Sequence, residues 1–119
     1  MAKEIGISLS ISIQKNGAGA SGTLSISPDL TGELILQNVQ NIGTSAEAVT
    51  LGDITTAGQV FIKNLDATNF VEVFLDSGGT QRIAKLRPGY GMYIPFEGTA
   101  LYAKANTASC KIQVVASEV

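Results

Sequence analysis

From Ile5 onward the chain alternates: Ile5, Ile7, Leu9, Ile11 and Ile13 take every second position, with Gly6, Ser8, Ser10 and Ser12 between them. A two-residue period places the aliphatic side chains on one face of a strand, so the pattern predicts a strand over 5–13 with that face buried. Residues 14–22, QKNGAGASG, break the alternation with glycine and read as a mobile loop. A return strand over 23–27 and a turn at Pro28-Asp29 follow. Residues 33–42, ELILQNVQNI, read as a strand carrying Gln37, Asn38, Gln40 and Asn41, with a short helix as the alternative.

The chain is centred on 57–76, AGQVFIKNLDATNFVEVFLD. Residues 59–65 and 69–75 are rich in β-branched and aromatic side chains, and Asp66-Ala67-Thr68 between them are turn formers, which predicts a β-hairpin. Asp66 is placed to accept backbone N–H bonds, and Asn64 and Asn69 tolerate unusual φ. In the second strand Val71, Val73 and Leu75 share one face, while Phe70, Glu72 and Phe74 share the other. Neither face is cleanly polar, which suits a central strand of a two-layer structure or one whose outer face meets another subunit.

Further strands are expected over 46–51, 80–87, 91–96, 100–105 and 109–116. Turns are expected at Gly78-Gly79 and Pro88-Gly89, and a hairpin turn at Asn106-Thr107-Ala108. Strands spaced at about ten residues, with glycine punctuation and no convincing helix, predict one all-β domain over 1–119, an antiparallel β-sandwich of jelly-roll type.

Composition adds a reason to expect assembly: hydrophobic residues make up 45% of the chain and charged residues only 15%, a low charge density for a free monomer. A net charge of −2 argues against nucleic-acid binding as the main task. No apolar run approaches the ~20 residues of a membrane span, and the opening Met1-Ala2-Lys3-Glu4 does not resemble a signal peptide. The lone Cys110 alternates with Ile112 and Val114 and reads as a buried small hydrophobe, consistent with synthesis in a cytoplasm.

Candidate chemistry is sparse. The chain has no histidine, which removes the usual general base, zinc ligand and triad member together. Asp66, Glu72 and Asp76 are close in sequence, but Asp66 falls in a turn and Asp76 at a strand end, where local roles suffice. Glycine-rich 16–22 lacks the Lys-Ser or Lys-Thr and the helix that a phosphate loop needs. Arg82, Lys85 and Arg87, near Tyr90 and Tyr93, form the best basic and aromatic group; solvated strand charges, or ion pairs across a subunit interface, are the competing readings. No catalytic, cofactor or metal site is expected, and the chain reads as a non-enzyme.

Three segments carry a resemblance: QVFIKNLDATNFV over 59–71, LRPGY over 86–90 and LYAKA over 101–105. Together, across 57–115, they resemble the small β-sandwich proteins of tailed-phage virions, most of all the capsid decoration or cement type. The resemblance implies a virion component on the capsid surface, commonly trimeric, that ties neighbouring major capsid subunits together. Under that reading Phe70, Phe74 and Tyr90 are the expected subunit contacts, and the N-terminal segment is a candidate for adding a strand to a neighbour. A tail, neck or fibre adaptor is the alternative within virions. A carbohydrate-binding module is the alternative outside them, with Tyr90, Tyr93 and Tyr102 as its only tyrosines.

Overall fold

A computed structural model describes residues 5–28 and 32–118, all of them strand, turn or loop. The expected turn at Pro28-Asp29 and the opening tetrapeptide fall wholly or partly outside those residues. Among the described residues no helix is long and apolar enough to cross a membrane. The chain divides into two compact units, Met1–Thr31 and Gly32–Val119.

The first unit is a two-stranded antiparallel ribbon of β1 (Ile7–Lys15) and β2 (Ala18–Ile26). Strand continues through what reads in sequence as a mobile glycine loop. Asn16 (φ 52°) and Gly17 (φ 83°) make the whole reversal, and two successive left-handed residues match the right-handed twist of the flanking strands. Asn-Gly is the signal that the loop reading passes over. The aliphatic face of β1, expected to be buried, is bare: Ile11 and Ile13 are 61% and 60% exposed.

The second unit holds two four-stranded antiparallel sheets around one core. One sheet is ordered β3 (Ile35–Ile42), β10 (Cys110–Glu118), β5 (Ala57–Asn64), β8 (Gly91–Gly98). The other is ordered β4 (Glu47–Ala48), β9 (Tyr102–Ala105), β6 (Val71–Phe74), β7 (Arg82–Leu86). This all-β, antiparallel arrangement is compatible with a β-sandwich. We call the two the β10 sheet and the β6 sheet. Val60 and Ile62 of β5 and Ile112 and Val114 of β10 belong to the same core cluster as Val71 and Val73 of β6 and Ala103 and Ala105 of β9. Cys110 lies in that core as expected, and burial pushes its thiol pKa up, with the charge of Asp66 adding to the shift.

The central stretch forms the two expected strands, but they do not pair with each other. β5 hydrogen-bonds to β10 and β8, whereas β6 hydrogen-bonds to β7 and β9 in the other sheet. Residues 65–70 are therefore an arch from sheet to sheet. Asn64, fully buried, holds it: Nδ2 donates to the carbonyls of Asn69 and Leu86, each at 2.9 Å, and Oδ1 accepts from the Asp66 amide at 2.9 Å. Residues 106–109 likewise carry the chain from β9 in one sheet to β10 in the other, in place of the expected hairpin. Pro88-Gly89 is the expected turn, with Gly89 at φ 81° and the Tyr90 amide donating to Arg87 O at 2.8 Å; it too links strands of different sheets.

Candidate functional site

The outer face of the β10 sheet is built by alternation. Each core-facing residue of β3, β10, β5 and β8 leaves its neighbours pointing away from the core. Register sets these neighbours in rows: Gln37, Val115, Phe61 and Tyr93 form one, and Ile35, Ser117, Gln59 and Pro95 the next. In a third row Val39, Gln113, Lys63 and Gly91 lie side by side. The face therefore interleaves Ile35, Val39, Phe61, Tyr93, Pro95 and Val115 with the uncharged polar Gln37, Gln59, Gln113 and Ser117. Within these strands' matched positions its charges are Lys63 and, beside Asn41, Lys111, both toward one end.

β3 has two mixed sides, with Gln37 and Asn41 outward beside Ile35 and Val39. Asn38 and Gln40 lie on the inward-facing side with Leu36 and Ile42, while Ile35 and Val39 point outward at 70% and 57% exposure. Gln40 is satisfied where it sits: Nε2 donates to Thr50 O at 2.8 Å and Oε1 accepts from the Thr50 amide at 2.9 Å. Ile35 and Val39 are therefore left in water on the outer face while the inward polar groups are satisfied. Full burial of each such side chain is worth about 1.5–3 kcal/mol. Tyr93 donates its hydroxyl to Gln59 Oε1, which ties the polar tip down within the face and presents the ring. Burial raises the Tyr93 pKa, so the phenol remains a neutral donor at neutral pH.

The outer face of the β6 sheet is different in kind. Lys85, Glu72 and Lys104 form one row across β7, β6 and β9. Arg82 pairs with Glu72 at 2.8 Å, and Lys85 Nζ lies 4.1 Å from the centre of the Phe70 ring. This is a solvated, charge-bearing face.

The expected contact residues separate on this frame. Tyr90 is exposed at the Pro88-Gly89 turn. Phe70 is half-buried beneath Lys85. Phe74 is buried, its ring beside Gly79, and is committed to the fold; no partner reaches it without rearrangement of the β6–β7 turn. The basic and aromatic group does not assemble either. Arg82 and Lys85 lie on the β6 sheet, and Tyr93 lies on the outer face of the β10 sheet. Tyr93 and Tyr102 project from opposite sheets, which gives the three tyrosines no common platform.

The carboxylates serve the backbone. Asp66 accepts from the amides of Thr68 and Asn69, and these bonds, that from Asn69 first, hold its pKa below the ordinary carboxylate range. Asp76 accepts from the Thr80 hydroxyl and from the Thr80 and Gln81 amides, and its pKa is lowered by the hydroxyl bond first. Among the described residues, no three His, Cys, Asp or Glu side chains stand together as a metal site.

No family model, curated protein or solved structure matches this chain. The candidate site therefore rests on geometry. It consists of Ile35, Val39, Phe61, Tyr93 and Val115 on the β10 sheet and, described by itself, the bare aliphatic face of the β1–β2 ribbon. The first set is missed when the strands are read singly, because no one strand contributes more than two of these residues. The one signal in sequence is the mixed order of apolar and polar positions in 35–42, which gives that strand no cleanly polar side to turn to solvent.

Proposed function

We propose that this chain is a structural assembly protein of a tailed-phage virion, a decoration or cement protein that lays the outer face of its β10 sheet on the major capsid protein. The observation that carries the reading is that face: uncharged over most of its rows, its apolar residues interleaved with glutamines, and Ile35 and Val39 turned away from their own core. The likeness of 59–71, 86–90 and 101–105 to virion β-sandwich proteins supports the same reading, and so does the low charge density. Mechanically the protein is a bridge. Packaged DNA pushes capsomers apart, and each bridge adds apolar contact area that must be exposed to water before they separate. Copies act as homo-oligomers, with a trimer the expected form, at the capsid surface after synthesis in the host cytoplasm.

The jelly-roll form of the sandwich belongs to this proposal. It is supported by nested pairing: β6 with β7, β5 with β8, β4 with β9 and β3 with β10, as in a long hairpin wound across two sheets.

Immunogold labelling of intact virions with antibody to this chain tests the reading. Label over the whole head is expected, as is release of DNA at lower temperature from heads assembled without the protein. Label confined to tail or neck would move the chain to the adaptor role. Absence of label, or heads of unchanged heat resistance, would overturn the decoration reading.

A further inference from the structure

The β1–β2 ribbon has two unlike faces. On one, Ile7, Leu9, Ile11 and Ile13 stand opposite Ile26, Leu24, Gly22 and Ala20; on the other, Ser8, Ser10 and Ser12 stand opposite Ser25, Thr23 and Ser21. The only charge between Ile7 and Ile26 is Lys15, at the turn. It continues the alternation of Ile11 and Ile13 onto the apolar face, beside Ala18, so close approach of two such surfaces must leave the Lys15 ammonium in water beyond the last apolar pair.

The apolar face is also graded. β1 is bulky throughout, whereas β2 falls from Ile26 and Leu24 to Gly22 and Ala20 toward the turn. The distal half is thus a ridge, Ile11 and Ile13, beside a hollow, Gly22 and Ala20. Such a surface is complementary to itself under one kind of symmetry. An axis parallel to the ribbons lays β1 of one copy over β2 of the next at the same level. Ile11 then fills the hollow at Gly22 and Ile13 that at Ala20, while Leu9 and Ile7 meet Leu24 and Ile26, the alternation of large and small that packed layers require.

We propose that the ribbon is the self-association element of this chain, and that its occupant is a second copy of the same ribbon, parallel and face to face. Leu9, Ile11, Ile13, Leu24 and Ile26 together expose the equivalent of more than two whole residues. With Ile7, Ala20 and Gly22, two facing ribbons bury at most about 1,000 Å² in total, the size of a weak specific interface. Association is therefore concentration-dependent. The proposal rests on the self-association of the preceding section only in that copies meet; its two-fold contact makes pairs, and it is tested on purified chain, apart from any virion.

The experiment is sedimentation equilibrium of the full chain from micromolar to millimolar concentration, with far-UV circular dichroism and a denaturant midpoint for each variant. The expected wild-type mass is two chains at the upper end, because a face-to-face two-fold contact closes at a dimer, falling to the 12.4 kDa of one chain on dilution. Ile11→Lys with Ile13→Lys should weaken association by about tenfold or more, at least 1.4 kcal/mol, with the denaturant midpoint unchanged. Gly22→Ile is the stricter variant. Its Cβ meets only Ile11 Cγ2 at 3.6 Å within its own ribbon, so it fits the free ribbon but fills the hollow, and it too should weaken association. Ser10→Lys, on the hydroxyl face, should leave association intact. A monomer at every concentration, or an oligomer indifferent to the double lysine variant, would overturn the proposal. Loss on Val39→Lys instead would overturn it by assigning the contact to the β10 sheet. Head labelling is unaffected by any of these outcomes, so the two readings fail separately.

Discussion

Asn64 occupies the point where the chain leaves β5 for the other sheet, and its side chain satisfies two carbonyls and one amide that would otherwise be stranded around a fully buried position. Asn64→Leu fills the space but strands all three, so the substitution should cost about 2–4 kcal/mol in urea or guanidinium unfolding. Ser117 presents the opposite case. Its hydroxyl is buried without a hydrogen-bond partner, so Ser117→Ala should be neutral or raise stability by up to ~1 kcal/mol in the same measurement. The turn aspartates set an acid limb. Asp66 and Asp76 have folded-state pKa values below those of the unfolded chain, so the folded state holds fewer protons there. Their contribution is present above the ordinary carboxylate pKa and is lost as pH falls through the lowered values. A pH series of unfolding midpoints should fall less steeply on the acid side in Asp66→Asn and Asp76→Asn than in the parent chain.

Elements in this protein are held by turn chemistry at their ends and by alternation along their length. Gly89, at φ 81°, occupies the left-handed position of the Pro88-Gly89 turn that passes β7 to β8. Gly89→Ala should lower stability by about 1–2 kcal/mol, read as a reduced denaturant midpoint. The corresponding change in the ribbon turn, Gly17→Ala, belongs to the other compact unit. It should raise amide exchange in β1 and β2 while leaving the midpoint of the β10 and β6 sheets unmoved. Alternation was readable along β1 and β10 but fails in β6, where the register shifts between Val73 and Phe74 so that Phe74 is buried and Leu75 exposed; the turn residues at 64–66 and 88–89 announce themselves by type. β3 was less readable, because its inward polar groups are satisfied by Thr50, a backbone ten positions away whose proximity no local pattern encodes.

At the scale of the molecule, the two sheets of Gly32–Val119 are assembled from nested pairs. Only β6–β7 is local; β3–β10 joins residues near opposite ends of that unit. Loop closure must precede the contacts that reward it, so folding should be slow for the size, in the millisecond-to-second range by stopped-flow fluorescence or circular dichroism. The buried hydrophobic core cluster lies entirely within this unit. A chain beginning at Gly32 should therefore keep cooperative unfolding and lose the ribbon-dependent self-association.

What the sequence determined by itself is the all-β class, the burial of Cys110 in line with Ile112 and Val114, and the chemistry of the turns. Side-chain period and turn preference are local properties, set by the backbone and its nearest neighbours. The tertiary structure decided where each turn leads. Residues 57–76 have the composition of a hairpin and form an arch, because Asn64 finds a partner in Leu86, 22 residues on, and each flanking strand finds its neighbours elsewhere. It also decided which alternating faces are left uncovered. The aliphatic face of β1 has the same pattern as a buried strand, and only the absence of packing over it distinguishes the two. A local pattern specifies that a face is apolar; what covers that face depends on residues distant in sequence or on another molecule, and this is why the candidate surfaces emerged from the fold.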